Sequence, residues 1–262
     1  MTLLSKAQRW GAALLSLLLL FAFLAPLLGS GNAATQDLSN ILTLPDRHHW
    51  LGTDQFGRDM WLRLADALQL SLALALLCVL TSASIGVLLG VLAATGPAWL
   101  DRLLDGITTM ILALPGLVLV LIFAALLPGS FWMLYVAISL IQWIEYFRVT
   151  RVITRRLVHS PEVQSSRLMG FGAGYLFRRH FWPAIAPQLV TLAPFGAANA
   201  ILTMASLGFI YVGIQPPLAE LGLMIVEHFP YYSDAPWLLA QPLLVLALLV
   251  LSCHLLGRST ER

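Results

Sequence analysis

From Trp10 to Leu28 the chain carries no charged side chain, and four more uncharged stretches follow it: Ala67 to Leu100, Gly106 to Ile144, Phe181 to Ala219 and Ala235 to Gly257. A helix needs about 20 apolar residues to cross a hydrocarbon core ~30 Å thick. Stretches of this kind constrain the fold more than any local propensity, because inside a bilayer every backbone N–H and C=O must be bonded within the protein. The second stretch is trimmed by Gly96-Pro97, and the third holds two spans divided by the turn Pro128-Gly129-Ser130. The fifth span ends near Gly213, ahead of Gln215-Pro216-Pro217. The expectation is an all-α polytopic membrane protein with six transmembrane helices. Composition agrees, with 59% hydrophobic and 11% charged residues, where soluble domains carry about 25% charged.

The expected divisions are a tail at 1–9, a first transmembrane helix at 10–28, an outside segment at 29–66, a five-helix core at 67–257 and a tail at 258–262. Lys6 and Arg9 ahead of an apolar run, with small residues from Gly29 to Ala34, imitate a signal peptide. The run continues through Leu28, beyond the roughly 7–15 residues of a signal core, so a retained helix is expected. Basic residues set the orientation, since short loops rich in Arg and Lys stay in the cytoplasm. With the N-terminus inside, Lys6, Arg9, Arg102, Arg148, Arg151, Arg155, Arg156, Arg167, Arg178, Arg179, Arg258 and Arg262 fall inside, and only Arg47, Arg58 and Arg63 fall outside. Both termini are therefore expected in the cytoplasm.

Several chemistries are excluded. Lys6 is the only lysine and precedes any possible Gly-rich turn, so the chain has no P-loop of its own and an energy-requiring task would draw on a partner or an ion gradient. A net charge of +2 offers no basic surface for nucleic acid. Cys78 and Cys253 lack the spacing of a zinc or redox pair, and His48, His49 and His228 share no metal-ligand spacing. No metal site is expected.

Two polar segments remain for specialised work. The inside loop 148–182 opens with Arg148, Arg151, Arg155 and Arg156, which stripe one side of a helix and, taken alone, read as an inner anchor. Ser160-Pro161-Glu162 then gives a cap, a first-turn proline and a first-turn acid. The helix they start runs to Met169 and is broken at Gly170, Gly172 and Gly174, and a second one follows through Leu176, Arg178, Arg179 and His180. In the outside segment, Thr53 or Asp54 caps a short interfacial helix with Phe56, Met60, Trp61 and Leu64 on its apolar face. Leu218 to Phe229, bounded by prolines, is too short to span and folds back as a gate or a plug. Asn199, Thr203 and Ser206 in the fifth span either line a passage or bond to neighbouring helices. Glu145 and Arg148, three apart, are expected to neutralise each other.

Gln164-Ser165-Ser166-Arg167-Leu168-Met169-Gly170, with Pro183 thirteen residues after the glycine, resembles the EAA loop that couples ABC importer permeases to their ATPases. Gln-Ser-Ser stands where the family has Glu-Ala-Ala. His49-Trp50-Leu51-Gly52-Thr53-Asp54-Gln55-Phe56-Gly57-Arg58-Asp59 resembles the H-x-L-G-T-D-x-x-G-R-D segment of the second permease in dipeptide, oligopeptide and nickel importers. Ala205 to Pro217 is similar to the end of that family's fifth helix.

The resemblance implies a type I importer permease in a bacterial inner membrane, without its own ATPase site. It would work with a second permease, two cytoplasmic ATPases that carry ATP and Mg, and a periplasmic or lipid-tethered binding protein for short peptides, nickel or metal chelates. It assigns ATPase coupling to Gln164, Ser165, Ser166, Arg167, Gly170, Arg178 and Arg179, and the periplasmic motif to Gly52, Thr53, Asp54, Gly57, Arg58 and Asp59. The periplasmic motif either seals the bundle or docks the binding protein. The competing readings are a self-sufficient secondary transporter, which needs coupling acids near the midplane and has only Glu145 to offer, and a structural membrane anchor.

Overall fold

The computed structural model describes residues 5–29 and 31–258. Arg262 and the outermost residues of both expected tails lie outside them. Helix α1 (Lys6–Leu28) starts at a capping box between Ser5 and Gln8. Helix α2 (Met60–Thr95) starts at Asp59, whose carboxylate accepts from the Trp61 and Leu62 amides, and Gly96 ends it. A bent pair follows, α3 (Ala98–Leu112) and α4 (Gly116–Leu126), with 81° between them. Helix α5 (Phe131–Val158) leads into the short α6 (Pro161–Leu168) and α7 (Ala173–Leu176). A π-helical turn, Phe177–Phe181, joins α7 to α8 (Trp182–Phe209) without a break. Then α9 (Leu221–His228) folds back and α10 (Pro236–Gly257) completes the bundle.

Four of these helices are individually long and apolar enough to cross a membrane, or five elements if the bent α3/α4 pair counts as one. The expected fourth span, α5, falls short on composition, since Gln142, Glu145 and the arginines from Arg148 onward dilute its apolar half. Its packing shows which way it runs. Cys78 meets the Tyr135 carbonyl, Ser82 the Ser139 carbonyl, and Gly86 and Gly90 lie against Tyr146 and Thr150. Helices α2 and α5 are therefore parallel, so α3 and α4 together must return the chain across the bundle. Together with α1, α8 and α10 this makes six passes among the described residues.

The seam between α2 and α5 depends on absent side chains. A Cβ on Gly86 would sit 2.5 Å from the Tyr146 Cβ, and one on Gly90 would sit 2.8 Å from the Thr150 Cβ. The pair forms the small-xxx-small pattern that brings membrane helices into close contact. The main core lies between these helices and α8 to α10, around Leu68, Leu74, Cys78, Leu134, Ile201 and Met204. At the end where α2 begins, Trp61 packs edge-on against Phe21 and Trp50, each at 4.8 Å, an aromatic cluster of the kind that marks a membrane–water boundary.

Two expected elements differ. The separate interfacial helix is absent: Phe56 lies in the turn before α2, while Met60 and Leu64 are buried in the first turns of α2 itself. No proline stands between Asp59 and Gly96, so capping at Asp59 commits the chain to one long helix. The second loop helix is likewise the base of α8, continuous through the π turn. The expected fold-back between Pro217 and Asp234 is present as α9.

Candidate functional site

At the end of the bundle where α2 begins, the segment from His49 to Asp59 folds inward. Asp54 is fully buried and accepts from the Phe56 and Arg58 amides, and its second oxygen takes the Arg58 Nε at 2.6 Å. Arg63 Nε lies 3.4 Å from the same carboxylate. Both arginines reach Glu227 on α9, Arg58 at 3.4 Å and Arg63 at 3.3 Å. Two cations and two anions thus form a buried lock between the motif, α2 and the fold-back helix. His228 beside it is fully buried, bonded through Nδ1 to the Leu238 carbonyl, and burial pushes its pKa down to about 4. Gly57 has φ +69° and backs onto the Asp37 carbonyl, so a side chain there would be both strained and obstructed. Thr53 is buried and bonded to Thr43 and to the Asn40 carbonyl. His49 and Asp59 meet at 2.8 Å. The motif side chains Thr53, Asp54 and Arg58 therefore face the interior. The outward faces nearby are those of Leu38, Leu44, Trp50 and Phe56.

Between α4, α5 and α8 lies a half-open cavity of about 310 Å³, with Glu145, Arg148 and Asn199 exposed along it. Its polar lining is Gln142, Glu145, Arg148, Asn199 and Thr203, and its apolar wall includes Leu117, Val120, Ile138 and Ile141. Asn199 and Thr203, one turn apart on α8, thus both line it. Ser206 is not part of that lining and bonds back to the Leu202 carbonyl. Glu145 and Arg148 do not neutralise each other: among the described residues neither takes part in an ion pair within 4.0 Å. Spacing puts them on neighbouring turns, but their side chains open into the cavity. Gln142, Glu145 and Arg148 recur every third residue, which is the signal that would have found this site.

The opposite end carries the loop between α5 and α8. Arg151 grips Asp101 at 2.5 Å and Asp105 at 2.9 Å, and Arg155 reaches Asp101 at 3.3 Å, so half of the arginine stripe clamps α3. Ser160 caps α6 by accepting from Val163, and Ser166 is 2.9 Å from the His180 Nε2. The second contact ties α6 to the base of α8. Gly170 closes the turn at φ +83°, with open space where a Cβ would stand. Beside it Leu168 is 90% exposed and Met169 72%. Gln164 donates to the His159 carbonyl, and Ser165, Arg167, Arg178 and Arg179 stand on the outer surface of the loop or partway out. Among the described residues no group of three His, Cys, Asp or Glu side chains is arranged to hold a metal.

Residues 86–262 match the family described as binding-protein-dependent transport system inner membrane component. A dipeptide transport system permease protein of Alkalihalophilus pseudofirmus is 30% identical over 247 residues, covering 94% of this chain and 81% of that protein. A putative peptide permease protein of Brucella suis biovar 1 is 33% identical over 256 residues, covering 95% and 83%, and one of Brucella ovis is 32% identical over 256 residues, with the same two shares. With an all-helical bundle and a match over most of its length, this chain belongs to the binding-protein-dependent transport system inner membrane component family and has the fold of a type I ABC importer permease.

Proposed function

We propose that the chain is one of two related permease subunits in an ATP-driven importer of short peptides, set in a bacterial inner membrane with both termini in the cytoplasm. The second permease completes the path along α5 and α8. Two cytoplasmic ATPases, which carry the ATP and Mg, take the α6 loop, and a periplasmic or lipid-tethered binding protein delivers the peptide at the α9 end. The names of the relatives support peptides over nickel or metal chelates.

The observation that carries the reading is the loop tip. Leu168 and Met169 are exposed on a polar segment whose backbone is held by a cap, a left-handed glycine and the contact between Ser166 and His180. Apolar side chains held rigidly in water favour a partner's groove. When ATP closes the ATPase pair, α6 would move with its groove and α8, joined to the loop through a continuous helix, would carry the motion into the membrane. Cross-linking tests this. A Met169→Cys protein in native membranes is expected to cross-link to an ATPase subunit through a short thiol-reactive reagent, in a yield that changes with ATP. A chain that supports import yet never captures an ATPase through this position would refute it.

A further inference from the structure

We propose that the cavity between α4, α5 and α8 is a way-station for a short zwitterionic peptide within the membrane. Arg148 takes its terminal carboxylate, Glu145 its terminal ammonium, and Asn199 its amide. The inference rests on the peptide-import reading above and deepens it by placing part of the recognition in this chain.

The cavity is at the lower end of the usual size for small-molecule sites, about 300–1,000 Å³, and at about 310 Å³ it suits a peptide of a few residues. Its polar groups lack partners. Glu145 and Arg148 are exposed to it and make no ion pair among the described residues. Ionisable groups inside a bundle are costly unless they face one another, water or a ligand. Gln142 is only 8% exposed, and its amide is packed into the space that Gly196 leaves, beside the Tyr146 hydroxyl. Asn199, exposed in the same lining, offers both a donor and an acceptor, and a peptide bond offers one of each.

Spacing fits the same ligand. Side chains three apart on a helix have Cβ atoms about 5–6 Å apart. In a dipeptide the two Cα atoms are about 3.8 Å apart, and the charged ends lie one bond beyond each. An acid and a base on adjacent turns therefore match the two ends of one short peptide, while the apolar wall of Leu117, Val120, Ile138 and Ile141 accepts varied side chains without demanding any. Such a site reads the peptide's ends and backbone and leaves its side chains unread, which suits a carrier of mixed peptides. One carboxylate with no neighbouring His or Cys does not suit a bare metal ion.

The test uses the assembled importer in lipid nanodiscs, with Cys78 and Cys253 replaced by serine and Thr203→Cys as the reporter inside the cavity. The probes are Ala-Ala and its blocked analogue, N-acetyl-Ala-Ala-amide. Ala-Ala should slow alkylation of the reporter by the factor 1 + [peptide]/Kd, about tenfold at ten times Kd, and the blocked analogue should not. Arg148→Gln or Glu145→Gln should each weaken that protection about tenfold, the loss expected of one charge-assisted bond. Absence of protection by Ala-Ala, or equal protection by the blocked analogue, would overturn the proposal. So would loss of assembly in both variants, which would make the pair a contact with the second permease. ATP-driven uptake of Ala-Ala by the same complex, reconstituted with its binding protein into sealed proteoliposomes, separates the two ideas. Uptake without protection removes the way-station and leaves the importer reading standing, whereas no uptake removes both.

Discussion

Glu227 shows how much of this molecule depends on single charges. It receives both Arg58 and Arg63 while itself only 10% exposed. Removing one member of a buried pair leaves its partner uncompensated, at a cost of about 3–5 kcal/mol. Glu227→Gln should therefore lower the midpoint of thermal unfolding in detergent by many degrees, measured by scanning fluorimetry. An unchanged midpoint would mean that Asp54 alone satisfies both arginines. The sequence marked Asp54, Arg58 and Asp59 as one unit, because they sit in one contiguous motif. It could not mark Glu227, whose arginine partner Arg58 is 169 residues away. The opposite error occurred at Glu145 and Arg148, where helical spacing predicts adjacency but does not fix which way the side chains turn.

Among the elements, α9 is the one whose hold on the bundle should vary with pH. His228 has a folded pKa of about 4 against an ordinary 6.5, so between those values the released state binds more protons than the docked one. The stabilisation is complete above about 6.5 and is lost as pH falls toward about 4. Asp54, Arg58 and Arg63 face the ring and Leu238 fixes its Nδ1. Glu220, which caps α9, has its pKa raised to about 7 by burial and so responds in the opposite sense. Comparison with His228→Gln isolates the histidine. Amide exchange of α9, corrected for the intrinsic effect of pH, should rise relative to that variant on going from about pH 7.5 to 5. A difference that stays constant would contradict the docking account. Element boundaries were legible where capping chemistry was local, as at Ser160-Pro161-Glu162. They were missed at α2, where Arg63 and Asp66 looked like the edge of the membrane yet belong to the helix, Arg63 being held there by Asp54 and Glu227.

For the whole molecule, the count of passes came from charge-free runs. The parallel packing of α2 and α5 supports the same count even though α5 is less apolar than a span of its length usually is. Sidedness follows from the basic residues alone and can be probed directly. In a Cys78→Ser, Cys253→Ser background, cysteines at Asn40 and Ser233 should react with an impermeant thiol reagent in sealed cells, and one at His159 should not. Labelling at His159 would reverse or break the arrangement.

The central claim is that this bundle moves peptides on energy delivered through its loop. The measurement is uptake of labelled Ala-Ala by proteoliposomes that hold the full complex and a loaded binding protein, with the wild-type chain and with Gly170→Val. A β-branched residue at φ +83° strains the loop tip by about 1–3 kcal/mol and leaves the spans untouched. Uptake should require ATP, be indifferent to collapse of the proton gradient, and fall severalfold in the variant while the complex stays assembled. Uptake that persists without ATP and follows the gradient, or that is unaltered by Gly170→Val, would contradict the account.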